Sequence, residues 1–397
     1  MRSRLRLLPF ALFLFILPFP GTVALRLAAL ACGLLVCAWS WYADGLPRVP
    51  AKAALALWAG CALLSLGWAV DPAYSLGEIK NEVFYALAAF LGLFTLTRTR
   101  EDAAVLLNAL MLAALVLAAL AFWEHFSSGS DIWNERGPAG GSGSYATYLL
   151  ALFPVLLWAG GALRYRYARA LLAALALAQL YVAVLAGQRA FWLVFGPQAL
   201  VALYLLRARG FIAIAPARLR ALGAAALVLC ALAIAAATLT RGTVGLAHDP
   251  RVTGWPAIAA RILEHPLVGK GFGRQTMKMA YPDLVSREFP LFWHPHNLFL
   301  EYGIAMGIPG MLALIYLFYA LLRRFWQMSR ADEHVSAMAG ICGVLLVVGV
   351  IARNLTNDFF LRDQALLFWA LAGMLLGYAA HSEDAARSER ERGHGSE

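Results

Sequence analysis

The run His294-Pro295-His296-Asn297-Leu298-Phe299-Leu300-Glu301-Tyr302-Gly303 holds the residues best suited to moving a proton. Pro295 fits the first position of a helix, where a missing N–H costs nothing. That placement predicts His296 in the first helical turn, where the positive end of the helix dipole favours a neutral imidazole. A neutral imidazole accepts a proton, the work of a general base. The competing reading is an interfacial histidine with no chemistry. A second group is basic. Arg189, in Ala186-Gly187-Gln188-Arg189-Ala190-Phe191-Trp192, occupies a very short turn between two apolar segments, close to membrane depth, where a charge is costly and often functional. Arg251 precedes Trp255 by four residues, and Arg261 lies ten residues beyond Arg251. Guanidinium groups grip phosphate oxygens two at a time, so arginines gathered on one face suit a phosphate or diphosphate. Each arginine taken singly also fits snorkelling to lipid headgroups.

Two further stretches carry charge. Arg353-Asn354-Leu355-Thr356-Asn357-Asp358 and Arg362-Asp363 crowd one short connection; salt bridges fixing the loop are one role, and Asp358 orienting a histidine or holding a substrate hydroxyl is another. Arg136-Gly137-Pro138-Ala139-Gly140-Gly141-Ser142-Gly143-Ser144 lacks the preceding strand and the Lys-Ser/Thr ending of a phosphate-binding P-loop and reads as a flexible loop. No D-x-D or H-E-x-x-H pattern offers a metal ligand set, and no G-x-S-x-G stands out. The expectation is a site with neither metal nor cofactor. Cys32, Cys37, Cys61, Cys230 and Cys342 all lie in apolar runs without metal-ligand spacing, so they read as small buried hydrophobes.

These residues need elements to hold them, and the composition says which. Hydrophobic residues make up 61% of the 397 and charged residues 14%, whereas a soluble domain carries roughly 25% charged residues. Apolar segments recur at about 7–20, 23–42, 51–70, 82–97, 103–123, 144–163, 168–186, 190–206, 219–239, 300–322, 334–352 and 363–380. The pattern predicts an all-α polytopic membrane protein of about twelve transmembrane helices, with the start of the chain read as a retained first helix. Nine spans fall within 1–239, three within 296–380, and 381–397 forms a polar tail.

Orientation follows from the basic residues. Arg48 and Lys52, Arg98 and Arg100, Arg164, Arg166 and Arg169, Arg207, Arg209, Arg218 and Arg220, and Arg323, Arg324 and Arg330 all fall in connections on the side of the N-terminal Arg2, Arg4 and Arg6. The short connections opposite hold only Arg26, Lys80, Arg136, Arg189, Arg353 and Arg362. Positive charge is retained in the cytoplasm, so both termini are expected inside, and the net charge of +10 reflects this retention and not nucleic-acid binding. The long polar segment 240–295, between spans nine and ten, then lies outside. Within it, Arg251–His265 spaces Trp255, Ile258, Ile262 and Leu263 as one face of an amphipathic helix.

Taken in order, Gln188-Arg189 opening a span, Arg251-x-x-x-Trp255, Glu264-His265-Pro266-Leu267-Val268-Gly269-Lys270-Gly271-Phe272-Gly273, and His296-Asn297-x-x-Leu300 with Gly303, Gly307 and Gly310 resemble the O-antigen ligase and polymerase superfamily. The resemblance implies a glycosyltransferase C-like helical enzyme of the bacterial inner membrane. It implies transfer of an O-antigen glycan from undecaprenyl pyrophosphate to lipid A-core, inverting and metal-independent, on the periplasmic side. Carried over residue by residue, it makes His296 the base and Arg189 and Arg251 catalytic, with Arg261, Asn297, Lys270, Arg136 and Asp358 as substrate contacts. An O-antigen polymerase or a pilin glycan ligase shares the layout. A transporter of similar span number would instead show broken helices and ionisable groups near mid-membrane.

Overall fold

The computed structural model describes residues 5–128, 137–162, 166–241, 250–285, 292–357, 359–360 and 362–394. Among these the chain is all-α, with no strand. The helices are α1 (Leu8–Ile16), α2 (Val23–Asp44), α3 (Lys52–Leu64), α4 (Pro72–Leu96), α5 (Arg100–Ser128), α6 (Ser142–Ala162), α7 (Arg166–Ala186), α8 (Arg189–Ala208), α9 (Pro216–Arg241), α10 (Pro250–Glu264), α11 (Thr276–Ala280), α12 (Leu298–Met328), α13 (His334–Asn354) and α14 (Arg362–His394). Nine of these (α2, α4 to α8 and α12 to α14) are long and apolar enough to cross a membrane. That number is smaller than the dozen apolar segments in the sequence. The α1 segment is helical over only 9 residues, and α3, with the 3₁₀ turn Ser65–Trp68, makes a shorter apolar helix. At the other end α14 continues past residue 380 into the polar tail instead of stopping there.

The core lies around α13 and α14. In their apolar windows 78% and 83% of residues are buried, against 22% in α7 and 28% in α2, so the first pair is central and the second pair faces outward. Trp58 of α3 stacks on Trp369 of α14 at 5.2 Å, and Phe90 of α4 meets Trp369 edge-on at 5.9 Å. Rings with offset or edge geometry add to the stabilisation from burial alone.

Polar contacts gird the bundle at both ends. At one end Arg6 pairs with Asp102 at 3.0 Å, Arg98 with Asp44 at 2.8 Å, and Arg100 with Glu333. At the other end Arg26 pairs with Asp363, Gln364 donates to Ser144 O at 3.2 Å, Gln188 donates to Ser142 Oγ at 2.8 Å, and Asn297 donates to Leu355 O at 2.9 Å. The helix starts at Ser142, Arg189, Leu298 and Arg362 therefore gather at that second end, the N-end.

One break in α12 organises the N-end. Gly307 has φ 70° and ψ −174°, a backbone no helix contains. Pro309 has no N–H to give to Ala305 O, and the Ile308 N–H turns away to Pro266 O at 2.8 Å. The carbonyls of Ile304 and Ala305 thus lose their helical donors. They accept instead from Lys270 N at 2.8 Å and Gly271 N at 3.0 Å. The segment 266–271 is in effect a strip of backbone pressed into the broken helix. Gly269 makes the close approach possible, because a Cβ there would collide with the backbone of Ala305 and Met306. The same strip reaches α4: Lys270 O accepts from Val70 N at 2.9 Å, and Tyr74 Oη accepts from Gln275 N at 3.0 Å.

Gly269→Ala is expected to destabilise the protein by about 1–3 kcal/mol, the usual range for overpacking, because rigid backbone faces the new methyl. Gly60→Ala, with nothing within 4 Å of the added carbon, serves as the control and should leave the midpoint of thermal unfolding in detergent unchanged or raised. Equal midpoints for the two variants would show that the docked strip is not under steric constraint.

Candidate active site

The amphipathic spacing after Arg251 folds as α10, and its apolar face finds a small core of its own. Ile258 and Ile262 are buried with Met277, Tyr281, Phe292 and Ile304, and Trp255 packs against them. Leu263 stays exposed at 68%, so the buried face is narrower than the spacing implied. This core fixes α10 to the start of α12. Trp255 adds a directed contact, its indole N–H donating to Pro295 O at 2.8 Å.

The turn that Trp255 holds carries the two histidines. His296 does not enter the first turn of α12. The helix begins two residues later, at Leu298, and Asn297 is the cap, its Oδ1 accepting from Phe299 N at 2.9 Å and Leu300 N at 3.1 Å. Asparagine is a favoured cap because its side-chain oxygen satisfies orphan N–H groups, a preference that outweighs the proline signal. His296 is left in the left-handed region at φ 50°, a strained state for a residue with a side chain and one that clusters at functional sites.

His296 stacks against Phe292 at 5.8 Å, and its ring centroid lies 3.8 Å from that of His294. His294 is buried, with Nε2 at 2.9 Å from Arg274 Nη2. A guanidinium only donates, so His294 Nε2 accepts, the ring is neutral, and its proton sits on Nδ1. The His296 N–H approaches that Nδ1 at 3.4 Å, a contact of packing once Nδ1 carries the proton. Arg274 in turn lies 5.0 Å over the Trp293 ring, and its charge, with that of Arg362, acts on Glu82 of α4. Glu82 is buried at a π-turn, Lys80–Phe84, and shares a hydrogen bond with Glu78. Arg274 thus meets His294 of the turn directly and reaches the buried Glu82 through its charge.

Beside the turn lies a cavity of about 600 Å³ lined by Arg251, Trp255, Asn297, Phe299, Leu300 and Leu355, among others. Arg251 and Asn297 thus share one wall. The Asn297 amide, however, is committed on both sides, to the α12 cap and to Leu355 O. Arg189 opens α8 and is exposed; the preceding Gln188 bonds Ser142, whose neighbour Gly143 faces the Phe359 ring. Arg261 and Lys270 form a separate group around Tyr281, their charges 5.4 and 5.9 Å from its ring. Arg261 pairs with Asp283 at 2.7 Å and Glu264 at 3.0 Å, hydrogen bonds that raise an already high pKa and keep it charged. Arg136 and Asp358 lie outside the described residues.

Sequence reading missed Glu78, Glu82, Arg274 and His294. The first two carry a usable signal, since carboxyl groups four apart in an apolar segment are costly and mark function, but Glu82 stands at the first position of the apolar segment 82–97 and reads as its boundary. Arg274 was one basic residue among many in a polar stretch, and nothing local distinguishes it.

Trp255→Phe keeps the ring and deletes the N–H that holds Pro295 O. It is expected to cost about 0.5–1.5 kcal/mol, the net worth of one hydrogen bond, read as a lowered unfolding midpoint. A midpoint equal to wild type would mean that α10 does not tether the turn through this bond.

No protein-family model matches the chain. Over 128 residues it is 23% identical to a Rickettsia conorii protein named putative polysaccharide ligase, a match covering 31% of this chain and 30% of that relative. The chain is thus an all-α membrane protein similar over about a third of its length to a protein of that name.

Proposed function

We propose that this chain is a polysaccharide ligase of the bacterial inner membrane, a glycosyltransferase that moves an O-antigen glycan from undecaprenyl pyrophosphate to a sugar hydroxyl of lipid A-core. The observation that carries the reading is the meeting of Arg251 with Asn297, the residue after His296, at one cavity whose Trp255 grips the Pro295 carbonyl. The likeness to a relative named for polysaccharide ligation supports the glycan substrate. The distribution of basic loop residues supports a periplasmic N-end, with both termini in the cytoplasm.

In this reaction the acceptor oxygen attacks the anomeric carbon of the donor. A new C–O bond forms as the bond from that carbon to the diphosphate breaks, which inverts the configuration. The hydroxyl proton passes to the His296 imidazole. The departing diphosphate keeps the bonding electrons, and Arg189 and Arg251 neutralise its charge, a preorganised form of stabilisation that needs no cofactor. Both substrates are anchored amphiphiles, so fixing them at one surface supplies much of the rate by proximity. Arg261, Lys270, Arg136 and Asp358 would meet the glycan, while Asn297, its amide committed to the cap and to Leu355 O, would shape the cavity wall that the substrate meets.

A transporter reading meets a specific objection. The break in α12 is filled by the backbone of 266–271, whereas the broken helices of transporters line a substrate cavity at mid-membrane. An O-antigen polymerase or pilin ligase would use the same donor site, and only the acceptor differs.

With purified protein, a lipid-diphosphate glycan and lipid A-core, His296→Ala should reduce transfer by about 10²–10⁴-fold, the range for losing a general base. His296→Asn, which tolerates left-handed backbone, separates loss of the imidazole from collapse of the turn and should be equally inactive. Transfer near the wild-type rate in His296→Asn would remove the base. Arg189→Lys keeps the charge but loses the planar fork and should lower turnover about 10-fold; an unchanged rate would take Arg189 away from the diphosphate.

A further inference from the structure

Arg353, the penultimate residue of α13, is placed where a guanidinium has little reason to be. It is 1% exposed. Its Nε donates to Thr147 Oγ1 at 3.1 Å, its Cζ lies 4.7 Å over the Phe359 ring, and Nη1 is buried with no hydrogen-bond partner. No carboxylate among the described residues forms an ion pair with it. The neighbouring charge that acts on it is that of Arg251, which repels. A buried cation beside another cation, with one hydroxyl partner and an orphan donor, is far from satisfied. Its sequence neighbours show that it could have been otherwise: Asn354 places both ends of its amide, on Val350 O and Phe360 N. Arg353 is also linked, through its neighbours, to the elements that carry both arginines already proposed to act. Thr147 is on α6, whose first turn is joined to Gln188, next to Arg189, through Ser142, and Leu355, two residues on, lines the Arg251 cavity.

We propose that Arg353 is an anion-binding residue, its guanidinium forming with that of Arg251 a subsite for the phosphate oxygens of a lipid-linked diphosphate. This rests on the reading of the chain as a transferase with such a donor. An anion there supplies what the protein withholds. It satisfies Nη1, turns the Arg251–Arg353 repulsion into shared attraction, and receives two planar forks suited to adjacent phosphates. Thr147 and Phe359 hold the guanidinium in place before the ligand arrives, which lowers the ordering cost of binding.

The test measures equilibrium binding, without acceptor, of a C55 polyprenyl diphosphate in detergent and of inorganic pyrophosphate. Arg353→Met should weaken both by about 10- to 100-fold, the loss of hydrogen bonds to a charged group. Because it also removes an unpaired buried charge, it should leave the unfolding midpoint of the ligand-free protein unchanged or raised. Arg353→Lys, kept as the second variant should the first not fold, should weaken both ligands as well, since an ammonium cannot span two phosphate oxygens. Affinities within threefold of wild type in either folded variant overturn the proposal. So does a loss confined to the polyprenyl ligand, which would place the effect on the lipid chain. A wild-type protein that binds neither ligand overturns the donor assignment itself, and this subsite with it.

Discussion

Inside a helical bundle a carbonyl that loses its N–H partner finds no water to replace it, and the break in α12 creates two such carbonyls at once. Ile304 O and Ala305 O are satisfied only because 266–271 lies against them and offers Lys270 N and Gly271 N in return. Most of what is distinctive about the N-end follows from that exchange. The strip is anchored by backbone to α12, so the segment leading into it (α10) and out of it (α11) is held to the bundle. The small core of Ile258, Ile262, Met277, Tyr281, Phe292 and Ile304 then closes over a docked segment instead of having to recruit one.

This arrangement changes what the glycine-rich stretch Val268-Gly269-Lys270-Gly271-Phe272-Gly273 is for. The resemblance makes Lys270 a substrate contact. In the fold the Lys270 and Gly271 N–H groups are spent on α12, and the Lys270 ammonium lies over the Tyr281 ring. The glycines are needed because backbone meets backbone there. The arginines proposed to meet an anion, Arg189, Arg251 and Arg353, are each held by a different element, at or near a helix end.

The turn bearing His296 shows how strain and order are combined. Asn297 caps α12, Trp255 grips Pro295, and His294 is pinned by Arg274. Between these three restraints His296 is forced into the left-handed region and presents its ring beside Phe292. Behind it, the charges of Arg274 and Arg362 act on the buried Glu82, which shares a hydrogen bond with Glu78.

The amino-acid sequence determined on its own that the chain is helical and membrane-embedded, and roughly where its helices lie. Hydropathy is additive along a chain, and every apolar segment listed from it coincides with a helix. It also placed α10 within a residue or two, because a 3.6-residue period needs no partner to be visible. Of the candidate residues it offers, Arg251 and Asn297 line one cavity in the fold. What it could not determine is anything that depends on a distant partner. The helix start at Leu298 was decided by the Asn297 cap in competition with Pro295. The role of Gly269 depends on Ala305, thirty-six positions away. Arg353 looks like any loop-end arginine until Thr147, Phe359 and Arg251 surround it, because whether a charge is solvated or stranded is a property of its neighbours in space, and only the packed bundle supplies them.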